Sequence, residues 1–160
     1  MRPFLLPRLV PSLALLISLP GALAAPSDNA AFVNQQIAAG HYHARTRVWR
    51  DPCGGRQEAR TFWRDGRGTL RRFRKVELGG AARTEWNFWL DWAGRQNQVT
   101  QERWQAGRRL SRIQLDYDRA GNLVQASAQP AQSRAAILRA LPPQQVQYVW
   151  ASREAALSCE

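Results

Sequence analysis

A chain of 160 residues has the size of one domain with a single core. Its 23 Lys and Arg against 12 Asp and Glu give a net charge of +11, and 22 of the 23 cations are arginine, a balance that points to anionic partners. No Gly-x-Ser-x-Gly elbow, His-Glu-x-x-His pair or phosphate-binding glycine loop is present, so the common hydrolytic and nucleotide-dependent classes have no motif to stand on.

The N-terminus reads as a secretory signal over residues 1–24. Arg2 and Arg8 supply a positive end, Leu9 to Leu19 an apolar stretch too short to span a bilayer comfortably, and Ala22-Leu23-Ala24 a small-residue cleavage site. The expectation is a mature domain of residues 25–160, periplasmic or secreted, with 21 basic and 12 acidic side chains and no transmembrane segment. Cys53 and Cys159 lie in that part. In an oxidising compartment such a pair without metal-type spacing is read as a disulfide, closing a loop of about a hundred residues and contributing on the order of 4–5 kcal/mol in the chain-entropy model.

A short helix is predicted from Ala30 to Ala39, with Val33 and Ile37 on one face and Gly40 as its stop. From His41 to Gln129 the period changes. Six glycine-containing breaks separate seven extended segments, and connections this short favour an antiparallel meander. In the fourth segment Thr84, Trp86, Phe88, Leu90 and Trp92 share the apolar face, opposite Arg83, Glu85, Asn87 and Asp91. In the sixth, Ile113, Leu115 and Tyr117 oppose Arg112, Gln114 and Asp116. The third mixes Leu70, Val76 and Leu78 with Arg72 and Arg74, which suggests an edge or a groove lining. A helix is predicted over Ala131 to Leu141, ended by Pro142-Pro143, and Gln144 to Leu157 reads as a second helix with a strand as its competitor. The fold class expected is therefore mainly β with α: a seven-strand antiparallel meander, as a curved sheet or half-open barrel, with one N-terminal and one or two C-terminal helices covering its apolar face.

Between Arg45 and Arg112 stand 17 basic and 7 acidic residues and six of the seven tryptophans. Trp49 and Trp89 have polar strand-mates and are read as exposed stacking platforms. Together with Arg45, Arg47, Arg72 and Arg74 they form the expected binding set, suited to anionic or amphiphilic ligands. His41 and His43, two apart on a strand, are the metal candidates; a site also needs a third ligand, which Asp51, Glu58 or Cys53 could supply if folding brings one near, and neither metal nor cofactor is expected. Glu85, Asp91, Glu102 and Asp116 are the carboxylates available for glycoside chemistry, with nearby arginines that favour ion pairing instead. Tyr117 to Leu123 resembles one unit of the tyrosine-aspartate repeats of large secreted shell proteins, and a single unit is read here as a hairpin turn. The helix–meander–helix order resembles the half-open barrels of periplasmic lipid and lipoprotein carriers, a likeness of architecture that assigns no residue.

The expected function is an exported, non-enzymatic binding protein of the cell envelope or periplasm. Its basic, tryptophan-bearing face would engage an anionic or amphiphilic partner: lipid, wall polymer or protein. The alternatives are a periplasmic inhibitor or immunity-type protein, and a small hydrolase or metal-site protein built on His41 and His43. Nucleic acid is disfavoured as a partner because export removes the chain from cellular DNA.

Overall fold

A computed structural model of the chain describes residues 26–50 and 56–154; the expected signal segment, and Cys53 and Cys159 with the disulfide proposed between them, lie outside these residues. Seven strands follow the N-terminal helix α1 (Pro26–Ala38): β1 (His43–Arg50), β2 (Gln57–Arg64), β3 (Leu70–Gly79), β4 (Ala82–Leu90), β5 (Gln96–Gln105), β6 (Arg108–Tyr117) and β7 (Leu123–Gln129). Each pairs antiparallel with its neighbour in sequence order, so the sheet is an open meander with β1 and β7 as its two edges. Two helices close the described chain, α2 (Arg134–Ala140) and α3 (Pro143–Ala151), the latter ending in a 3-10 turn over Ser152–Glu154. Among the described residues no helix is long and apolar enough to cross a membrane.

Register carries the alternation across the sheet. Phe62, Phe73, Phe88, Val99, Leu115 and Ala126 form one cross-strand row from β2 to β7. With Trp86 and Ile113 they make the main core, roofed by Ile137 of α2, by Leu141 at its C-terminal cap and by Val146 and Val149 of α3. Ser133 caps α2 by accepting the Ala136 N–H, and Pro142-Pro143 both ends α2 and opens α3, where proline at the first position needs no N–H partner. That start, with Val146, Val149 and Trp150 at helical spacing, is why the C-terminal segment is a helix and not an eighth strand.

Three local expectations are corrected. First, α1 does not join α2 and α3 over one apolar face. It lies on the opposite side, because Trp89 sits one residue out of phase with Phe88 and its indole needs cover; Ala30 and Val33 supply it, and Trp89 is 6% exposed. Second, β3 is an interior strand and neither an edge nor a groove lining. The β2–β3 ladder skips Arg71, which shifts Leu70 onto the core side while Arg72 and Arg74 stay on the polar side facing Asn87 and Glu85. Third, Trp92 is not in the core: it is 68% exposed, because β4 ends at Leu90 and residues 91–95 form a hairpin turn.

That turn is one of three built alike at the same end of the sheet. Asp65, Asp91 and Asp118 each accept, through Oδ1, the N–H groups two and four residues on. A glycine three residues after each aspartate takes positive φ, +74° at Gly94 and +86° at Gly121, a region that a side chain would make unfavourable. Burial by itself would raise the Asp91 carboxyl, but the Arg95 backbone N–H and guanidinium and the Ala93 N–H outweigh it and hold it below the ordinary aspartate value. A depressed carboxylate contributes stability that is complete above its unfolded value of about 3.9 and is lost as pH falls through the lower folded value. Acidification through that range is therefore expected to destabilise the protein, and Asp91→Asn to make the acid limb shallower. Urea midpoints compared at about pH 6 and pH 2.5 check this, and an acid limb unchanged by Asp91→Asn would count against the turn's role.

Candidate functional site

Tryptophan and arginine are enriched in the same stretch because they contact each other. Six of the seven tryptophans lie under a guanidinium within 4.0 to 5.8 Å of the ring centre: Trp49 under Arg60, Trp92 under Arg71, Trp63 and Trp89 about Arg72, Trp104 beside Arg83 and Arg109, and Trp150 under Arg153. The most developed case is Arg72. Trp63, Arg72 and Trp89 are neighbours in one cross-strand row, so the guanidinium is stacked between two indoles while its Nη atoms donate to Asn34 of α1 and Asn87 of β4. Asn34 Oδ1 also accepts the Trp89 indole N–H at 3.0 Å, which locks α1 onto the sheet. Burial, reinforced by the Arg74 charge, lowers the Arg72 pKa to about 10.

The remaining arginines divide by whether a carboxylate neutralises them. Arg74 meets Glu85 through two hydrogen bonds of 2.8 and 2.9 Å, with Arg83 at 4.0 Å. Burial pushes the Glu85 carboxyl up, but the bonds from Arg74 and Asn87 and the charges of Arg74 and Arg83 more than reverse that and leave it lowered. Arg109 and Arg112 share Glu102 at 3.3 and 3.8 Å, and Arg95 pairs with Asp91. On the helix-covered side Glu58 takes Arg60 on one oxygen and Lys75 on the other. The four acids expected at possible glycosidase positions are thus spent on arginines or, for Asp116, on Gln98 and Gln114.

Arg45, Arg47 and Arg64 are different. Among the described residues none has a carboxylate partner; Arg64 donates only to the Gly68 carbonyl. Register explains why they meet. Arg45 stands opposite Phe62, Arg47 opposite Arg60 and His43 opposite Arg64, so Arg45 and Arg47 project on the core side of the sheet. The helices roof the core from β2 onward and leave β1 exposed. The outcome is a groove of about 290 Å³ lined by His43, Ala44, Arg45, Arg47, Phe62 and Arg64, with three uncompensated guanidiniums above the margin of the aromatic core. Other arginines without a carboxylate partner among the described residues, such as Arg108 in β6, Arg119 in the β6–β7 turn and Arg139 in α2, stand in three separate parts of the chain.

The expected binding set is therefore divided by the sheet. Arg45, Arg47 and Trp49 lie on the groove side, whereas Arg72, Arg74 and Trp89 lie on the opposite side, where the Arg72 Nη atoms meet Asn34 and Asn87, Arg74 meets Glu85 and the Trp89 indole N–H donates to Asn34. Neither tryptophan is an open platform: Trp49 is half-buried beneath Arg60, and Trp89 is under α1. Arg64 and Phe62 escaped the sequence reading, although their spacing from Arg60 places all three near one face of β2. His41 and His43 do not share a strand. His41 precedes β1 and bonds back to Gln36 of α1, while His43 opens β1, and among the described residues no group of three metal-ligating side chains forms. Comparison with protein-family models, curated proteins and solved structures finds no match.

Proposed function

We propose that this is an exported, non-enzymatic binding protein whose groove between β1 and β2 takes an anionic or amphiphilic partner. The observation that carries the reading is the sorting of charge. Among the described residues the protein pairs Arg60, Arg74, Lys75, Arg109 and Arg112 of its inner strands with its own carboxylates, while Arg45, Arg47 and Arg64 stand together around Phe62 without one. Three guanidiniums at one place raise the local concentration of an anion, and their planar donors match carboxylate or phosphate in pairs. The apolar floor suits a ligand with an apolar portion beside its charge. An inhibitor or immunity-type role is the second reading, supported by the groove lying along an exposed sheet edge, a place where proteins add strands.

The test is a titration against anionic vesicles, an anionic wall polymer and an acidic peptide at low and physiological salt. At least one of these is expected to bind and to weaken with salt. Arg45→Ala/Arg47→Ala/Arg64→Ala should lower its affinity by about tenfold or more, while the charge-matched Arg108→Ala/Arg119→Ala/Arg139→Ala changes it little. Equal losses in the two triple variants would show that net charge alone acts and would remove the groove as the site.

A further inference from the structure

We infer that β1 is an acceptor edge for an extended, acidic segment of a partner protein, which adds beside it as an eighth strand and sets its carboxylates on Arg45, Arg47 and Arg64; this rests on the groove being the binding site. β1 pairs only with β2, over eight residues without a register shift, and seven of those eight are exposed. Alternate residues of an edge strand turn their N–H and C=O groups outward. Among the described residues no group outside β2 bonds to the β1 backbone. The opposite edge is not equivalent. α2 packs along β7, and Arg134 donates to the Leu123 carbonyl there.

Charge selects the occupant. β1 carries Arg45, Arg47 and Arg50 and no acid, so a second copy pairing on this edge would juxtapose like charges. The same arginines favour a strand bearing acids. Arg45 and Arg47 are two residues apart on one face, the period at which carboxylates on an added strand would recur, while Thr46 and Val48 on the other face offer a β-branched surface, with Val48 54% exposed. The matching segment alternates Asp or Glu with Val, Thr or Ile. A bilayer fits less well, because the aromatic side chain of the groove, Phe62, is only 7% exposed and recessed below the arginines, where a side chain on a strand reaches it and a flat surface does not.

The experiment compares peptides of about ten residues: one alternating Glu with Val and Thr, one of the same composition with its glutamates in a block, and two N-methylated forms of the alternating one, methylated at every second residue in either of the two phases. Affinity is read together with hydrogen exchange of the amides of residues 43–50. The alternating peptide is expected to bind at least about tenfold more tightly than the blocked one. One N-methylated phase should lose binding while the other keeps it, and alternate β1 amides should gain protection. Equal binding of alternating and blocked peptides, indifference to N-methylation, or no protection in β1 would each overturn strand addition. If vesicles or wall polymer bind through Arg45, Arg47 and Arg64 while every peptide fails, the groove reading stands and strand addition falls. If the Arg45→Ala/Arg47→Ala/Arg64→Ala variant binds all probes as the parent does, the groove reading falls with it.

Discussion

Replacing Glu58 with Gln is expected to destabilise the protein by about 3–5 kcal/mol, the usual consequence of removing one partner of a buried ion pair. Glu58 is 2% exposed, and its two oxygens hold Arg60, also 2% exposed, and Lys75 at 3.2 Å. Arg60 and Lys75 are direct cross-strand partners, so removing the carboxylate charge sets two cations against each other inside the domain, while Lys75 keeps Glu77 at 2.7 Å and Arg60 keeps its bonds to the Ser152 and Arg153 carbonyls. Those remaining bonds matter for the fold. Arg60 Nη1 donates to both carbonyls at 2.7 and 2.8 Å, just past the end of α3, where a cation also suits the helix dipole. A displaced Arg60 should therefore loosen α3 as well as lower the midpoint, by on the order of 10–20 °C for a loss of that size. Thermal unfolding and hydrogen exchange of residues 143–151 read the two effects together. A Glu58→Gln variant within about 1 kcal/mol of the parent, with α3 exchange unchanged, would mean that the cluster is hydrated and contributes little.

Phe73→Ala should be comparably damaging, about 3–5 kcal/mol, as expected for deleting a fully buried aromatic ring. Phe73 is 0% exposed and lies midway along the row that crosses the sheet, with ring centres 5.2 Å from Phe62, 5.5 Å from Phe88 and 6.3 Å from Trp150 of α3. Its removal leaves a cavity between the sheet and its helical roof that the rigid β3 backbone cannot close. Trp92→Ala is the informative contrast. Trp92 is itself 68% exposed but packs on Phe32 and on the guanidinium of Arg71, which is 0% exposed, so its loss should be about 2 kcal/mol, the range for a desolvated cation–π contact and still below that of Phe73→Ala. Chemical denaturation of the two variants decides the matter: a Trp92→Ala loss as large as that of Phe73→Ala would return Trp92 to the core position that strand alternation suggested.

The number of strands, their meander order, the first C-terminal helix and the inward set Trp86, Phe88, Ile113 and Leu115 are legible along the chain, because they follow from short-range period and turn chemistry, whereas the second C-terminal helix competes there with a strand. The same logic puts Trp92 in the core only by carrying strand parity through the aspartate–glycine turn at Asp91, the twin of the turn at Asp118. Partnership is set by the folded sheet. Whether an arginine is neutralised depends on which carboxylate the cross-strand register sets beside it, so Arg74 with Glu85 and Arg45 with none look alike along the chain. Helix placement belongs to the same class. α1 went to the polar side because one indole there, that of Trp89, needed cover and a bond to Asn34, and α2 and α3 left β1 bare because they pack on the core of the strands beyond it. The basic groove is the consequence of both. Register, set by the whole sheet, brings Arg45, Arg47 and Arg64 around Phe62, and the position of the helices keeps them open to solvent.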